Sequence, residues 1–487
     1  MSTAVYIIGS GFSSLSAACY LAKAGYDVTV LEKNDALGGR ARQFRKDGFT
    51  FDMGPTWYWM PDVFDRFFAD FGKSTSHYYG LTRLSPAYSV HFADGVPLVM
   101  AGQYDQIRAT FENTQAGSGA ALDRFMAEAK DNYDIAIRDL VYQPGASALE
   151  LVRTDTIRRA WRFFRTISGD VRRRFSNEKL ATILEFPVLF LGAKPSQTPS
   201  FYSFMNYADF ALGTWYPQNG MYAVVEAIVA LARELGVRFE TEADVGKITV
   251  SHGKISGLEV NGVHRAANLV VSGADYCHTE SLLDKAYRMY NSNYWESRVF
   301  APSALLFYLG FDTRLPHLNH HMLFFDADFD KHANQIYDAP CWPDDPLFYA
   351  SFPSQSDAGC APPGHEAAIL LVPLAPGLSD NDALRESVFR SVMARLGRHI
   401  GQDLEQHLVL RESYCLNDFV RDYNSYKGNA YGMANTLRQT AFLRPKLRSR
   451  KVKNLFFTGQ LTVPGPGVPP ALISGKLAAG LVQKYAV

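Results

Sequence analysis

Gly9, Gly11 and Ser14 stand at GxGxxS spacing, directly after the apolar run VYII of residues 5 to 8. Glycines so spaced let the chain turn sharply and let its backbone approach a diphosphate. The third position needs only a small residue, so that a helix can pack on a strand. Ser14 keeps the small size and adds a Cβ and a hydroxyl. Gly11, Phe12 and Ser13 then open a helix whose free N–H groups and positive dipole end would face phosphate oxygens. Glu32 closes the next apolar run, DVTVLE of residues 27 to 32. A carboxylate at that distance suits a ribose hydroxyl; the alternative is a solvated charge at a strand end.

Two further stretches extend this chemistry. LEKNDALGGRA, residues 31 to 41, adds two glycines and an arginine straight after the acid, and FDMGPTW, residues 51 to 57, adds another close-approach glycine. Near the other end, NLFFTGQLTVPGPGVPP reads as a strand, a rigid Gly/Pro loop and a helix start. Pro469 and Pro470 fit the first helical turn, where a missing N–H costs little. A helix N-terminus there would favour negative charge in front of it.

With these residues in view, the chain resembles the FAD-dependent amine-oxidase/phytoene-desaturase superfamily, in particular its bacterial phytoene-desaturase type. LGTWYPQNGM, VVSGADYCHTESLL, YWESRVFAPSALLFYLGFD and LFFTGQLTVPGPGVPPALISGKLAAG carry the likeness over nearly the whole chain. The resemblance implies FAD as cofactor, held by Gly9, Gly11, Phe12, Ser13 and Glu32. It places Gly38, Gly39 and Arg40 beside the diphosphate and flavin, and Pro55, Thr56 and Trp57 near the isoalloxazine. Val245 would meet the adenine through its backbone, Asp275 would sit near the cofactor, and Gly459, Gly467, Val468 and Pro469 would complete the site. The family commonly has GAGTHPGAGVPG where this chain has GQLTVPGPGVPP, so Gln460, Pro466 and Pro470 depart from the pattern, as does Ser14. The implied activity is desaturation of an acyclic carotenoid end, within the branch that introduces a 3,4 double bond into 1'-hydroxycarotenoids. A multi-step phytoene desaturase is the alternative, followed by an amine or porphyrinogen oxidase, or a cofactor-free prenyl-protein chaperone.

A flavin that takes a hydride beside a double bond needs position and dryness more than acids and bases. The sequence is consistent with that need. It has no GxSxG, no HExxH and no zinc cysteine spacing, and no residue stands out as a catalytic base. DADFD, residues 326 to 330, starts like a calcium loop but has Lys331 and Tyr337 where Gly and Glu are required, so no metal is expected. His320-His321 and Cys277-His278 read as surface or packed residues rather than ligands. Lys+Arg and Asp+Glu are 49 each, leaving no net charge to attract nucleic acid. The five cysteines show no CxxC pair and read as reduced thiols scattered through a cytosolic core. No signal peptide opens the chain, and no stretch reaches the roughly 18 apolar residues of a spanning helix.

These residues need elements to position them. VYII, the helix from 13 closed by Gly25, and DVTVLE predict a βαβ-type start. YSVHF–ADG–VPLVM predicts a hairpin, and residues 104 to 210 read as mostly helical. Strands are expected at 236–240, 246–250, 303–311, 346–352 and 367–375, with a helix carrying Leu384, Val388, Val392, Leu396 and Ile400 on one face. The expected fold is α/β: a Rossmann-type FAD-binding domain (1–75, 220–300, 450–487) interleaved with a substrate domain containing a mixed β-sheet (76–103, 301–449) and a helical, membrane-facing subdomain (104–219). Residues 151 to 175 carry eight arginines. Ile157, Trp161, Phe164 and Ile167 fall on one helical face, with Arg158, Arg162 and Arg165 close to a second. That composition suits either an interfacial helix or a core-facing stripe with a solvated side. The expected partners are a lipophilic carotenoid and a membrane surface met peripherally from the cytoplasm. The oligomeric state is open.

Overall fold

The computed structural model describes residues 3–138, 140–147, 150, 165–436 and 438–486. Ala4–Ile8 is the central strand of a five-stranded parallel sheet. The order is Leu455–Phe457, Val270–Ser272, Ala4–Ile8, Asp27–Leu31, Arg238–Glu240. Chain segments far apart in sequence therefore meet side by side. The inner strands are short and mostly apolar because helices cover the sheet, which leaves no solvated face to demand alternation; the edge strand Arg238–Glu240 is polar and partly exposed. The first helix, Phe12–Lys23, has no β-branched residue and ends at Gly25, whose φ of +88° is readily available to glycine.

That helix packs against the C-terminal helix, Val468–Tyr485. Contact is close: a Cβ added at Gly475 would lie 2.6 Å from Ser16 Cβ and 2.7 Å from Ala17 N. The Ser16 hydroxyl donates to Leu472 O at 2.7 Å across the same seam. The helix Tyr222–Glu234 lies on the first helix too, and together they bury the first core around Ile7, Leu15, Val28, Val224 and Ala478.

The second sheet has seven strands, ordered Leu408–Tyr414, Ser303–Phe311, Glu366–Leu374, Phe348–Ser351, His321–Phe325, Tyr88–Phe92, Leu98–Met100. It is mixed: Tyr88–Phe92 pairs parallel with His321–Phe325, and the remaining pairs are antiparallel. Along Ser303–Phe311 the side chains alternate. Leu305, Phe307, Leu309 and Phe311 pack on the helix Asp382–Ile400 through Val388, Val392, Leu396 and Ile400. Ala304, Leu306 and Tyr308 face the other way.

On that other side a helical layer, including Tyr104–Thr114, Ser118–Arg138, Ile167–Arg174 and Glu178–Glu185, joins Tyr88, Val90, Leu323 and Tyr349 in one core. Asp209 ties the layer to the sheet, accepting from the Tyr88 hydroxyl at 2.7 Å and from Thr214 at 3.3 Å. Residues 151–164 lie outside the described residues, and with them Ile157, Arg158, Trp161, Arg162 and Phe164 of the expected interfacial face. Ile167 is fully buried in the helical-layer core, which is the core-facing one of the two alternatives. Arg172 is paired with Glu178 and Glu185, Arg173 with Asp170, and Arg174 with Glu128, so these three do not form a free basic face. The cysteines are likewise not all core thiols. All five are free; Cys19, Cys360 and Cys415 are buried, Cys277 is half-buried, and Cys341 is exposed.

Candidate functional site

A cavity of about 860 Å³ runs between the two sheets. Its walls include the residues singled out in sequence: Gly9, Gly11, Phe12, Ser13, Glu32, Arg40, Pro55, Thr56, Trp57, Val245, Asp275, Gly459, Gly467, Val468 and Pro469. One end is built from turns. Gly9, at φ +85°, donates to Leu31 O at 2.8 Å and so folds the first loop back over the second strand. A Cβ on Gly11 would meet nothing within 4 Å, so that turn opens onto space. A Cβ on Gly39 would lie 3.2 Å from Gly11 Cα, so the two glycine turns stack on each other.

Ser14 does not weaken this arrangement. Its Oγ and Cβ occupy the space that a side chain on Gly273 would need. The helix-to-strand approach that a third glycine normally permits is recovered by a glycine on the facing strand end.

Glu32 is buried rather than solvated, which removes the strand-end alternative. Its Oε2 accepts from Ser10 N at 3.0 Å and Ser10 Oγ at 2.6 Å, and its Oε1 from Asn34 N and Nδ2 at 3.0 Å each. A carboxylate offers about four lone-pair sites, so Glu32 is fully engaged and pins the loop. A ribose hydroxyl at Glu32 would share or replace one of these bonds.

Arg40 is held differently. Its Nη2 donates to Ser425 Oγ at 2.9 Å and Asn429 O at 3.2 Å, and its buried Nε has no partner among the described residues. Burial pushes its pKa down, with Asp275 opposing. Asp275 itself caps the turn Tyr276–Ser281, accepting from Cys277 N at 3.0 Å and His278 N at 3.3 Å, and from Tyr426 N at 3.2 Å. Its carboxylate thus faces chain N–H groups. Val245 begins the strand Val245–Ser251 and is buried.

Two helices end at this cavity with no side chain capping them: the first, at Gly11, and the C-terminal one, at Gly467 with φ +114°. Gln460, one of the departures from the family pattern, donates through Nε2 to Asn429 Oδ1 at 3.2 Å. Gly432 makes room for it, since a Cβ there would lie 2.8 Å from Gln460 Cγ.

The other end is mostly apolar, walled by Phe186, Phe204, Leu306, Leu323, Phe325 and Leu371. A line of polar groups crosses its wall, from residues whose spacing along the chain carries no signal of their meeting. Thr56 Oγ1 bonds to the Tyr349 hydroxyl at 2.8 Å, and that hydroxyl bonds to His321 Nδ1 at 2.7 Å. Trp57 stacks on His321 at 4.1 Å and 10°. His320 and His321 are therefore packed. Burial and its neighbour His320 hold His321 well below the ordinary histidine range, so it is neutral. Tyr337 and Tyr431 line the same end; Tyr431 lies within electrostatic range of Tyr337 and Tyr349.

The family model for flavin containing amine oxidoreductase matches residues 12–483. The chain belongs to this family. A carotenoid 3,4-desaturase of Haloarcula japonica is 42% identical, with 99% of this chain and 98% of that protein covered. A zeta-carotene-forming phytoene desaturase of Myxococcus xanthus is 32% identical, covering 99% and 94%. In fold, the chain is similar to an oxidoreductase from Methanosarcina mazei, with a TM-score of 0.64 at 18% identity over 99% of this chain and 100% of that one.

The cofactor is FAD, and the residues at the glycine-rich end fit it. Arg40 is a half-buried guanidinium whose hydrogen bonds go to neutral oxygens and whose Nε has no partner among the described residues, a set that a diphosphate would complete. Gly11 opens onto the cavity, the first helix offers free N–H groups, and the C-terminal helix offers its Val468 N–H and dipole end, Pro469 and Pro470 having no N–H to give.

Proposed function

We propose that this flavoenzyme desaturates an acyclic carotenoid, with 3,4-desaturation of a hydroxylated end as its specific reaction. The observation that carries the reading is one cavity with a glycine-rich, cation-bearing end continuous with a long apolar end. The first suits a dinucleotide and the second a polyene. FAD supplies the acceptor for a hydride from a saturated CH–CH unit, whose other hydrogen leaves as a proton while the new C=C forms. The residues of the chain bind and orient. Gly9 to Ser13, Glu32, Arg40, Val245 and Asp275 hold the nucleotide and diphosphate. Pro55, Thr56 and Trp57 would hold the ring, together with Gly459 and Gly467 to Pro469. The apolar wall keeps water out and aligns the polyene.

The finer substrate assignment has support in the tyrosines. The hydroxyls of Tyr337 and Tyr431 have no hydrogen-bond partner among the described residues, although both side chains line the apolar end. A hydroxyl left without a partner in such a place favours a ligand that brings one. Incubating the FAD-loaded protein with matched hydroxylated and non-hydroxylated acyclic carotenoids, with products identified by mass, tests both levels. Loss of two hydrogens from neither substrate rejects the desaturase reading. Equal turnover of both rejects only the hydroxyl preference.

We also propose peripheral contact with a cytoplasmic membrane surface, because the substrate is lipophilic. Among the described residues no helix is long and apolar enough to cross a bilayer. Liposome co-sedimentation of a variant with Arg158 and Arg162 both changed to Gln tests the contact. Unchanged binding removes that stretch from the membrane reading.

A further inference from the structure

Arg444 heads the largest fully buried side chains of the described residues, at 1% exposure. Its Nη1 donates to Gln460 O at 3.1 Å. Its Nη2 donates to Met433 O at 2.7 Å and to Asn435 Oδ1, and its Nε has no partner. All of these acceptors are neutral. Other buried arginines are neutralised: Arg42 by Asp422, Arg385 by Asp380 and Asp418, Arg395 by Asp326 and Asp345. Among the described residues no carboxylate comes within ion-pair distance of Arg444, and the titratable groups that bear on it are the neutral phenols Tyr202 and Tyr294. Burial pushes its pKa down to about 10, which leaves it charged at neutral pH.

A buried cation without a counter-charge is costly, so the charge itself calls for a use. Its position indicates one. A Cβ on Gly465 would lie 3.2 Å from Arg444 Nη2 and 3.0 Å from Asn435 Oδ1. Gln460, Val463, Pro464 and Asn435 line the cavity, so the guanidinium sits one residue behind its wall. Arg40, at the cavity wall, likewise has no carboxylate within ion-pair distance among the described residues, and a diphosphate answers it. Nothing in oxidised FAD carries a second localised anion. Reduction creates one: a hydride brings two electrons and one proton to the neutral ring and leaves it negative.

We propose that Arg444 is the counter-charge for reduced flavin and raises the flavin's reduction potential through the Gln460–Gly465 loop. The proposal rests on the reading that FAD occupies this cavity. Arg444 touches the Gln460–Gly465 loop from behind the cavity wall, so it is a positioning and electrostatic residue.

The test uses the full-length holoprotein with R444M and R444K, reading FAD affinity and reduction potential. R444M is expected to bind oxidised FAD within about threefold of wild type. At a fixed applied potential its reduced-to-oxidised ratio is expected to fall at least tenfold, about 30 mV for a two-electron couple. R444K should recover most of that loss. A ratio changed less than twofold in R444M, with FAD bound normally, overturns the proposal. A protein that takes up no FAD in any form overturns the site reading instead. Should R444M not fold, R444K decides alone. A buried lysine loses its proton at lower pH than an arginine. Its potential should therefore drop more steeply than wild type between pH 6 and pH 9. A parallel pH dependence overturns the proposal.

Discussion

Ser14 and Gly273 show how a departure from a motif is absorbed at the scale of single residues. The hydroxyl of Ser14 is buried without a partner and fills the place of a Gly273 side chain. Gly273→Ala should therefore overpack the seam and cost about 1–3 kcal/mol, and Ser14→Gly should restore most of that loss in the double variant. Urea unfolding of the four proteins measures the coupling; strictly additive effects would show that the two residues do not share this space. Arg40→Met removes charge-assisted bonds worth about 1.5–3 kcal/mol each, which predicts FAD binding about 10–100-fold weaker by fluorescence titration. The tolerance of Ser14 was not legible in the loop, because its compensation comes from a distant strand end. Glu32 was legible as a position and not as a state. Its spacing announces a ribose ligand, whereas the bonds to Ser10 and Asn34 that pin it depend on the folded turn.

At the scale of elements, apolar period and glycine placement revealed most of the strands and the helices around them. The mixed pairing of Tyr88–Phe92 with His321–Phe325 was not legible, since nothing local to a strand specifies a parallel neighbour so far along the chain. The stripe that includes Ile167 was ambiguous for a related reason: an aromatic-and-arginine helix looks alike whether its apolar side meets lipid or a core. Ile167 meets a core, and Arg172, Arg173 and Arg174 meet carboxylates. The join between helical layer and mixed sheet leads to a pH prediction. Burial pushes the Asp209 carboxyl up from its ordinary 3.8 to about 7, despite bonds from Tyr88 and Thr214. Between those values the folded protein holds a proton that the unfolded chain has released. Asp209 thus stabilises the fold relative to the unfolded chain at low pH, and that contribution is lost as pH rises toward about 7. Asp209→Asn removes this pH dependence, so the stability of wild type relative to the variant should fall by roughly 3 kcal/mol from pH 4 to pH 7. A difference independent of pH would mean that Asp209 stays ionised.

At the scale of the whole molecule, the cavity joins elements that fold from opposite ends of the chain. The first helix and the C-terminal helix share the Gly475 seam, and each presents an uncapped N-terminus to the cavity. FAD bound between them should act on both at once. A ligand that binds the folded state alone adds about 2.7 kcal/mol at a concentration 100 times its Kd, so adding FAD to stripped protein should raise the unfolding midpoint. The same addition should slow proteolysis near both termini. Gly475→Val tests the coupling, because it wedges the seam apart, pressing on Ser13 O at the cavity wall as well as on Ser16 and Ala17. It should lower the midpoint by overpacking, by about 1–3 kcal/mol, and also shrink the increment that FAD provides, since the two N-termini no longer hold their relative positions. Differential scanning with and without FAD separates the two effects. A variant that loses stability yet keeps the full FAD increment would show that each end of the chain binds its part of the cofactor independently.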